Sequence, residues 1–280
     1  MTRLKGELFY YLVRLPKWLD RLEVIGLSDI HRGNPMFDEH SFKETIYYIK
    51  HTPEVRVIGV GDWIETVLRT SKGDIHTQVG SPAQQMKYVM DMTEPIWDKI
   101  IGMCIGNHEL RVYNATGTDM SAQMANKIGC PYRAEAIYLK ITFGDNNARV
   151  AGKPYSYYGY ATHGYGGART ASAKAVKVER TSTHVHADFY MMAHDHVVNG
   201  AISTYLMPDN RTKKQTIMID DTNREFETGY VKEKRKILVK TNACLKWGGY
   251  AEMGGFPPVD LTTPIIRLAG TGEPKVRVLI

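Results

Sequence analysis

Apolar residues along this chain come in short runs that stop at polar clusters, and three of the runs end alike. Residues 22–28 give out at Asp29-Ile30-His31-Arg32-Gly33, residues 55–60 at Gly61-Asp62-Trp63-Ile64-Glu65, and residues 100–105 at Gly106-Asn107-His108-Glu109. A short apolar run bounded by glycine and polar residues predicts a buried strand. Between the first two, residues 38–50 place Phe42, Ile46, Tyr47 and Ile49 near helical spacing behind an acidic start, which predicts a helix. Strand, helix and strand form a βαβ unit, whose crossover is parallel and almost always right-handed. Ligands of open α/β sheets bind beyond the carboxyl ends of the strands, so the three polar clusters are expected at one edge.

Residues 66–80 are polar and glycine-bearing and predict a loop over that edge. Ser81-Pro82 opens a helix that runs to about Trp97 with a break near Pro95. A further helix is expected over 119–128, stopped by Gly129 and Pro131. From Ala136 the texture turns to alternation: 137–143, 149–151 and 155–163 predict strands. Gly144-Asp145-Asn146-Asn147 is the expected turn pairing the first two antiparallel. The tyrosines at 155, 157, 158 and 160 fit a half-buried strand, and such rings also stack on bases. Residues 168–180 predict a helix. Strands follow over 189–193 and 197–206, interrupted by His194-Asp195-His196, and closing strands over 264–268 and 275–280.

Composition changes little in this picture. Hydrophobic residues at 43% and charged residues at 24% of 280 exclude a disordered or membrane-embedded class. No apolar run reaches the roughly 18 residues of a membrane span. The nearest run, Leu8 with Phe9, Tyr10, Tyr11, Leu12 and Val13, ends at Arg14 and Pro16 without a cleavage site, so residues 1–20 predict a basic, aromatic-bearing arm packed on the domain. Charge is more informative. A net charge of +6 and a pI of about 9.0 favour an anionic partner such as nucleic acid, a phosphorylated metabolite or an acidic surface. Residues 211–236 carry eight Lys or Arg against five Asp or Glu, either a solvated hairpin or a basic lip facing substrate. Cys104, Cys130 and Cys244 are an odd set without paired spacing, which predicts a reducing, cytoplasmic setting.

The candidate chemistry lies in five clusters taken in order: Asp29-x-His31, Gly61-Asp62-x-x-Glu65, Gly106-Asn107-His108-Glu109, His163, and Ala193-His194-x-His196. Each is common alone, but all five fall at the ends of predicted strands. The ordered set resembles the calcineurin-like metallophosphoesterases and spans residues 29–196, about three fifths of the chain. That resemblance implies an α/β chain folded as a four-layer αββα sandwich, two mixed sheets flanked by helices. It also implies one domain over 1–280, with an arm at 1–20, a motif core at 22–206, and C-terminal strands in 207–280 that complete the second sheet.

By the same resemblance, Asp29, His31, Asp62 and His196 hold one divalent cation and Asp62, Asn107, His163 and His194 a second, with Asp62 shared. Imidazole, carboxylate and amide donors suit Mn²⁺ foremost, and Fe or Zn²⁺, rather than Ca²⁺. Two such ions about 3.5–4 Å apart acidify a bridging water, whose hydroxide attacks phosphorus in line. His108 is expected to protonate the leaving group rather than bind metal. Glu65 is expected to accept the other ring N–H of His108. Arg32 and Arg111 flank the clusters and could neutralise phosphate charge. The chain departs from the family pattern at Ala193, where a glycine is usual, and at Glu65, where Asp is more common and whose extra length is expected to displace His108 slightly. The His184-x-His186 pair follows a predicted helix rather than a strand, which places it on the surface.

Thr66 and Ile105 occupy positions where the phosphoprotein phosphatase branch carries arginine, which disfavours that branch. The basic balance favours a phosphodiesterase or nuclease acting on DNA or RNA, similar to double-strand-break repair nucleases and to phosphoesterases of bacterial viruses. A phosphomonoesterase or phosphodiesterase on a small nucleotide or metabolite, and a non-catalytic metal-stabilised binding module, are the alternatives.

Overall fold

A computed structural model describes residues 9–69, 71, 75–143, 149–150, 153–168, 170–209, 215–218, 225–253, 255, 257–258 and 261–280. In chain order the first half comprises β1 (Tyr11–Arg14), β2 (Arg21–Leu27), α1 (Glu39–His51), β3 (Val55–Val60), α2 (Pro82–Thr93), a 3₁₀ turn (Glu94–Lys99), β4 (Ile100–Cys104), α3 (Asn107–Thr116) and α4 (Met120–Ile128). The second comprises β5 (Ile137–Thr142), β6 (Arg149–Val150), β7 (Lys153–Pro154), β8 (Tyr157–Thr162), α5 (Ala171–His184), β9 (Phe189–Met192) and β10 (Asn199–Pro208). It continues through β11 (Gln215–Met218), β12 (Glu225–Thr228), β13 (Val231–Lys240), α6 (Tyr250–Met253), β14 (Ile265–Ala269) and β15 (Val276–Leu279).

Local chemistry accounts for most of these boundaries. The Asp38 carboxylate accepts the Ser41 N–H at the start of α1. Ser81 and Gln84 form a reciprocal capping box at α2, with Pro82 where its missing N–H costs nothing. Gly117 and Gly129 close α3 and α4 in the left-handed conformation. The expected break near Pro95 is the passage from α2 into the 3₁₀ turn.

Two mixed sheets result, ordered β15-β14-β2-β3-β4 and β1-β5-β8-β9-β13-β10. They face each other across one apolar layer: Leu22, Val24, Ile58 and Ile266 of the first meet Leu139, Tyr157, Phe189 and Val239 of the second. On the outer side of the first sheet Phe42 and Ile49 of α1, Val89 of α2 and Met124 of α4 pack on Ile25, Val57 and Met103. On the outer side of the second, Val178 of α5 packs on Tyr190, Met192 and Leu238. The layers are therefore αββα, as expected. β2, α1 and β3 form the expected parallel unit, registered from Glu23–Val55 to Leu27–Gly59. Among the described residues no helix is long and apolar enough to cross a membrane.

Three expectations need correction. The C-terminal strands do not all complete the second sheet: β13 joins it, but β14 pairs antiparallel with β2 in the first and carries β15 with it. The described residues 149–150 do not pair with β5; β6 pairs with β7, while β5 pairs with β8 and with β1. The turn at 144–147 lies outside the described residues. The N-terminal arm does more than pack, since its described part adds β1 as a parallel edge strand beside β5. Alternation reports which face of a strand is buried, and not which neighbour it joins.

Candidate metal centre

The loops after β2, β3, β4, β8 and β9 meet at one end of the sandwich. Gly61 and Gly106 make the approach possible: a Cβ on Gly61 would lie 2.5 Å from the Gly106 backbone, and one on Gly106 would lie 2.1 Å from the Asp62 nitrogen. The β2 and β3 loops are zipped by backbone bonds, Asp29 N–H to the Gly61 carbonyl (3.0 Å) and His31 N–H to the Asp62 carbonyl (3.1 Å). Among the described residues six non-glycine positions have left-handed φ: Asp29 (47°), His31 (51°), Asp62 (54°), Thr66 (44°), His194 (72°) and His196 (49°). Five of them belong to the expected ligand set. Each costs about 1–3 kcal/mol and persists only where its surroundings over-determine it.

The donor atoms fall into three groups. Asp29, His31 and His196 form the first, Asp62, His163 and His194 the second, and His31, Asp62 and His108 a third that shares a member with each, the atoms of each group lying within 4.8 Å of one another. In the first, His31 Nε2 faces His196 Nε2 at 3.0 Å, and His196 Nε2 lies 3.3 Å from Asp29 Oδ1. In the second, Asn107 Oδ1 lies 2.9 Å from His163 Nε2 and 2.7 Å from His194 Nδ1, and His163 Nε2 lies 3.2 Å from Asp62 Oδ2. Asp62 Oδ2 also stands 3.9 Å from His31 Nε2, so this one oxygen borders the first two groups.

Three of the imidazoles are aimed by the nitrogen that faces away. His31 Nδ1 donates to Glu65 Oε2 (2.9 Å), His163 Nδ1 to the Val60 carbonyl (2.8 Å), and His194 Nε2 to the Gly166 carbonyl (2.6 Å). Such outward bonds fix tautomer and ring orientation, as around bound metals. Burial opposes charge on Asp29, Asp62 and His163, but their mutual attraction prevails. Asp29 and Asp62 sit well below the usual carboxylate range beside His196 and His163 respectively. Burial likewise resists charge on His163, yet Asp62 lifts it to about 9.

The donors fit divalent cations on two observations. Asp29 Oδ1 is buried and accepts no hydrogen bond. Two Nε2 atoms face each other in His31 and His196, an arrangement that a shared cation satisfies better than a proton.

His108 lies beside this set, its Nε2 3.8 Å from Asp62 Oδ2. The expected role of Glu65 needs correction. Its carboxylate pairs with His31 and stands 3.8 Å from His108 Nδ1, which instead donates to the Glu65 backbone carbonyl (2.5 Å). Arg111 Nη2 donates to His108 Nε2 (3.1 Å), and burial holds this imidazole neutral, its pKa down at about 4. Glu65 remains ionised despite burial, held down at about 2 by His31. Arg32 is drawn away from the role expected for it: its guanidinium lies over the rings of Tyr88 (4.1 Å) and Phe37 (5.5 Å). In the described part of the basic segment, Lys234 contacts Tyr155 and Asp188 and Lys236 bonds the Ser182 carbonyl, so these two ammonium groups are engaged away from the donor set. His184 ends α5, outside the cluster.

Sequence reasoning missed the residues that brace the loops. The buried Glu109 carboxylate accepts backbone N–H groups from Asp62 (3.0 Å), Trp63 (2.7 Å), Ile64 (3.2 Å) and Gly106 (3.1 Å). Its signal was the three-residue spacing from Gly106, that of a capping box. Gln85 Oε1 accepts the Glu65 and Thr66 N–H groups, both at 3.1 Å. Under the His194–His196 loop, the fully buried Lys240 ammonium donates to the Ala193 carbonyl and lies 2.7 Å from Asp195 Oδ2, while Lys177 bonds Asp195 Oδ1 (2.6 Å). Lys240→Met should cost about 2–3 kcal/mol, because Asp195 keeps Lys177 but a buried carbonyl and half of the carboxylate lose their partner. Urea unfolding measures this, and an unchanged midpoint would refute the bracing role.

No protein-family model matches this chain, and no curated protein matches it. Among solved structures it is similar to a predicted phosphoesterase from Streptococcus pneumoniae, at 12% identity over 93% of this chain and 99% of that one, with a TM-score of 0.36. A metallophosphoesterase from Sphaerobacter thermophilus matches at 9% identity over 92% and 89% of the two chains, with a TM-score of 0.37. The Plasmodium protein GAP50, described as the anchor in the inner membrane complex, matches at 10% identity over 93% and 85%, with a TM-score of 0.44. What the centre can do chemically follows from its own donors.

Proposed function

We propose that this chain is a calcineurin-like, dinuclear-metal phosphoesterase, with Asp29, His31, Asp62 and His196 as ligands of one cation and Asp62, Asn107, His163 and His194 of the other. The observation that carries the proposal is the convergence of these seven side chains, with Asp62 Oδ2 bordering both donor groups. Mn²⁺, Fe or Zn²⁺ matches the donor chemistry. When bound, such ions supply Lewis acidity toward phosphoryl oxygens and a water acidic enough to attack phosphorus. The donors come from loops of both sheets, which supports a single catalytic domain. Three cysteines without a disulfide among them suit a reducing, cytoplasmic setting.

His108 and Arg111 supply the rest. A phosphoryl group entering the site offers Arg111 anionic oxygens in place of an imidazole nitrogen, a stronger charge-assisted bond. His108 Nε2 is thereby freed to take up the proton that the attacking water gives up and to pass it to the leaving oxygen, while Nδ1 stays fixed on the Glu65 carbonyl. The net charge of +6 favours a phosphodiester of nucleic acid as substrate.

Turnover of bis-p-nitrophenyl phosphate by the Mn²⁺-loaded protein tests the reading, and its absence would leave only a metal-stabilised binding module. Digestion of labelled single- and double-stranded DNA then separates a nuclease from an enzyme of small phosphoesters. His108→Ala should keep both metals yet slow hydrolysis of esters with poor leaving groups by about 10²–10⁴-fold. Loss of metal from that variant would make His108 a ligand instead.

A further inference from the structure

α5 covers only part of the outer face of the second sheet. It packs over β9 and β13, and Tyr138, Tyr158 and Tyr160 lie at the margin of that contact. On the β1–β5–β8 side the outward positions are Tyr10 and Leu12, exposed at 48% and 44%, then Tyr138 and Lys140 of β5, and Tyr158 and Tyr160 of β8. The four rings are contiguous: Tyr10 to Tyr138 at 6.3 Å, Tyr10 to Tyr158 at 6.1 Å, and Tyr138 to both Tyr158 and Tyr160 at 6.0 Å between centroids. Lys140 Nζ stands 5.8 Å from the Tyr10 centroid and 5.9 Å from that of Tyr158. Tyr155 and Tyr157, from the same stretch of sequence, do not take part: Tyr157 is buried between the sheets and Tyr155 bonds Asp188.

We infer that this face binds single-stranded nucleic acid, with bases stacked on Tyr10, Tyr138, Tyr158 and Tyr160 and phosphates drawn to Lys140. Three observations favour that ligand. Among the described residues the cation of this face is Lys140, and the carboxylates at its margins are paired, Asp188 with Lys234 (3.1 Å) and Glu135 with Arg133 (3.4 Å). Several tyrosines with a cation at their centre suit a ligand that alternates π-faces with negative charge. The face also leads to the metal centre, since β8 continues from Tyr160 through Thr162 to His163, about 10 Å at the rise of a strand. A duplex hides its base faces in its own stack, so an open strand is the form this surface can hold. The inference rests on the proposed phosphoesterase only for cleavage; binding stands by itself.

Fluorescence anisotropy of a labelled, phosphorothioate-linked oligothymidylate against the full-length, metal-loaded protein tests it. The single strand should bind more tightly than the matching duplex, and Tyr10→Ala and Tyr158→Ala should each weaken it about tenfold. Tyr158→Phe, which keeps the ring, should bind as the parent does. Lys140→Ala should lower the slope of log affinity against log salt by about 0.7. Turnover of bis-p-nitrophenyl phosphate should stay at the parental level in all four variants, because none touches the centre. Equal affinity of the parent and both alanine variants, equal binding of duplex, or tyrosine-dependent binding to anionic vesicles in place of the oligonucleotide would each overturn the inference. Parental protein that binds the strand but lacks turnover would refute the phosphoesterase and leave this surface standing.

Discussion

Asp62→Ala should lose bound metal and catalysis together, with kcat/KM on bis-p-nitrophenyl phosphate falling by about 10³-fold, equivalent to about 4 kcal/mol. The size of the effect follows from position. Asp62 is fully buried, borders both donor groups through Oδ2, and receives the His108 N–H on Oδ1 (2.8 Å) at the amino end of α3. That helix end favours a negative charge, so the carboxylate stays ionised and available to a cation. Without it the imidazoles of His31 and His163 lose the anion that attracts charge into the pocket. Metal content after gel filtration and turnover at saturating Mn²⁺ measure the two losses. A variant with its full complement of metal and parental turnover would show that the cations, if bound, are held elsewhere.

Glu109→Ala should destabilise the fold by about 3–5 kcal/mol, although Glu109 is outside the proposed ligand set. Its two oxygens take four buried backbone N–H groups, three from the Asp62 loop and one from Gly106. Burial and the nearby Asp62 carboxylate push its pKa up to about 7, yet four donors aimed at one carboxylate favour the ionised form. Deleting it strands the donors, and each unmet buried donor costs about 1–3 kcal/mol before the loop relaxes. Glu109→Gln should not rescue the loss, because the amide would turn its own N–H groups toward some of those donors. Relaxation would also release the left-handed Asp62, so metal affinity should fall with stability. Urea unfolding and metal titration test both effects, and a Glu109→Ala protein with parental midpoint and affinity would refute the bracing role.

Much of the scaffold was legible because its signals are local. The run at 55–60, the Asp38 and Ser81 caps, the break near Pro95 and the stop at Gly129 each depend on residues within one or two turns of themselves, and each appears where expected. α3 was not foreseen. The polar Asn107, His108 and Glu109 read as a loop, and only Glu109 and Val112 of that helix are buried, too narrow a stripe to give a helical period. Its cues were the Gly106–Glu109 spacing and Gly117 at its end.

The partner of Glu65 was misread for a different reason. Spacing placed Glu65 near the cluster, but the bonds of Gln85 to the Glu65 and Thr66 N–H groups turn the backbone so that the carbonyl meets His108 and the carboxylate meets His31. Arg32 likewise follows tertiary neighbours, Tyr88 and Phe37, rather than the motif beside it.

From its residue order alone this protein declares where strands end and which imidazoles, carboxylates and amides stand at those ends, because strand length and turn chemistry are set by neighbours in the chain. Only the packing of one sheet on the other brings His31 against His196 and Asn107 against His163 and His194, pairs separated by 165, 56 and 87 residues. Strand periodicity gives the side of a sheet on which a group lies, but the distance between groups on different sheets depends on how the apolar layer between them closes. For the same reason the partition of β13 and β14 between sheets, and the bracing of the ligand loops by Glu109 and Lys240, were decided by the tertiary fold.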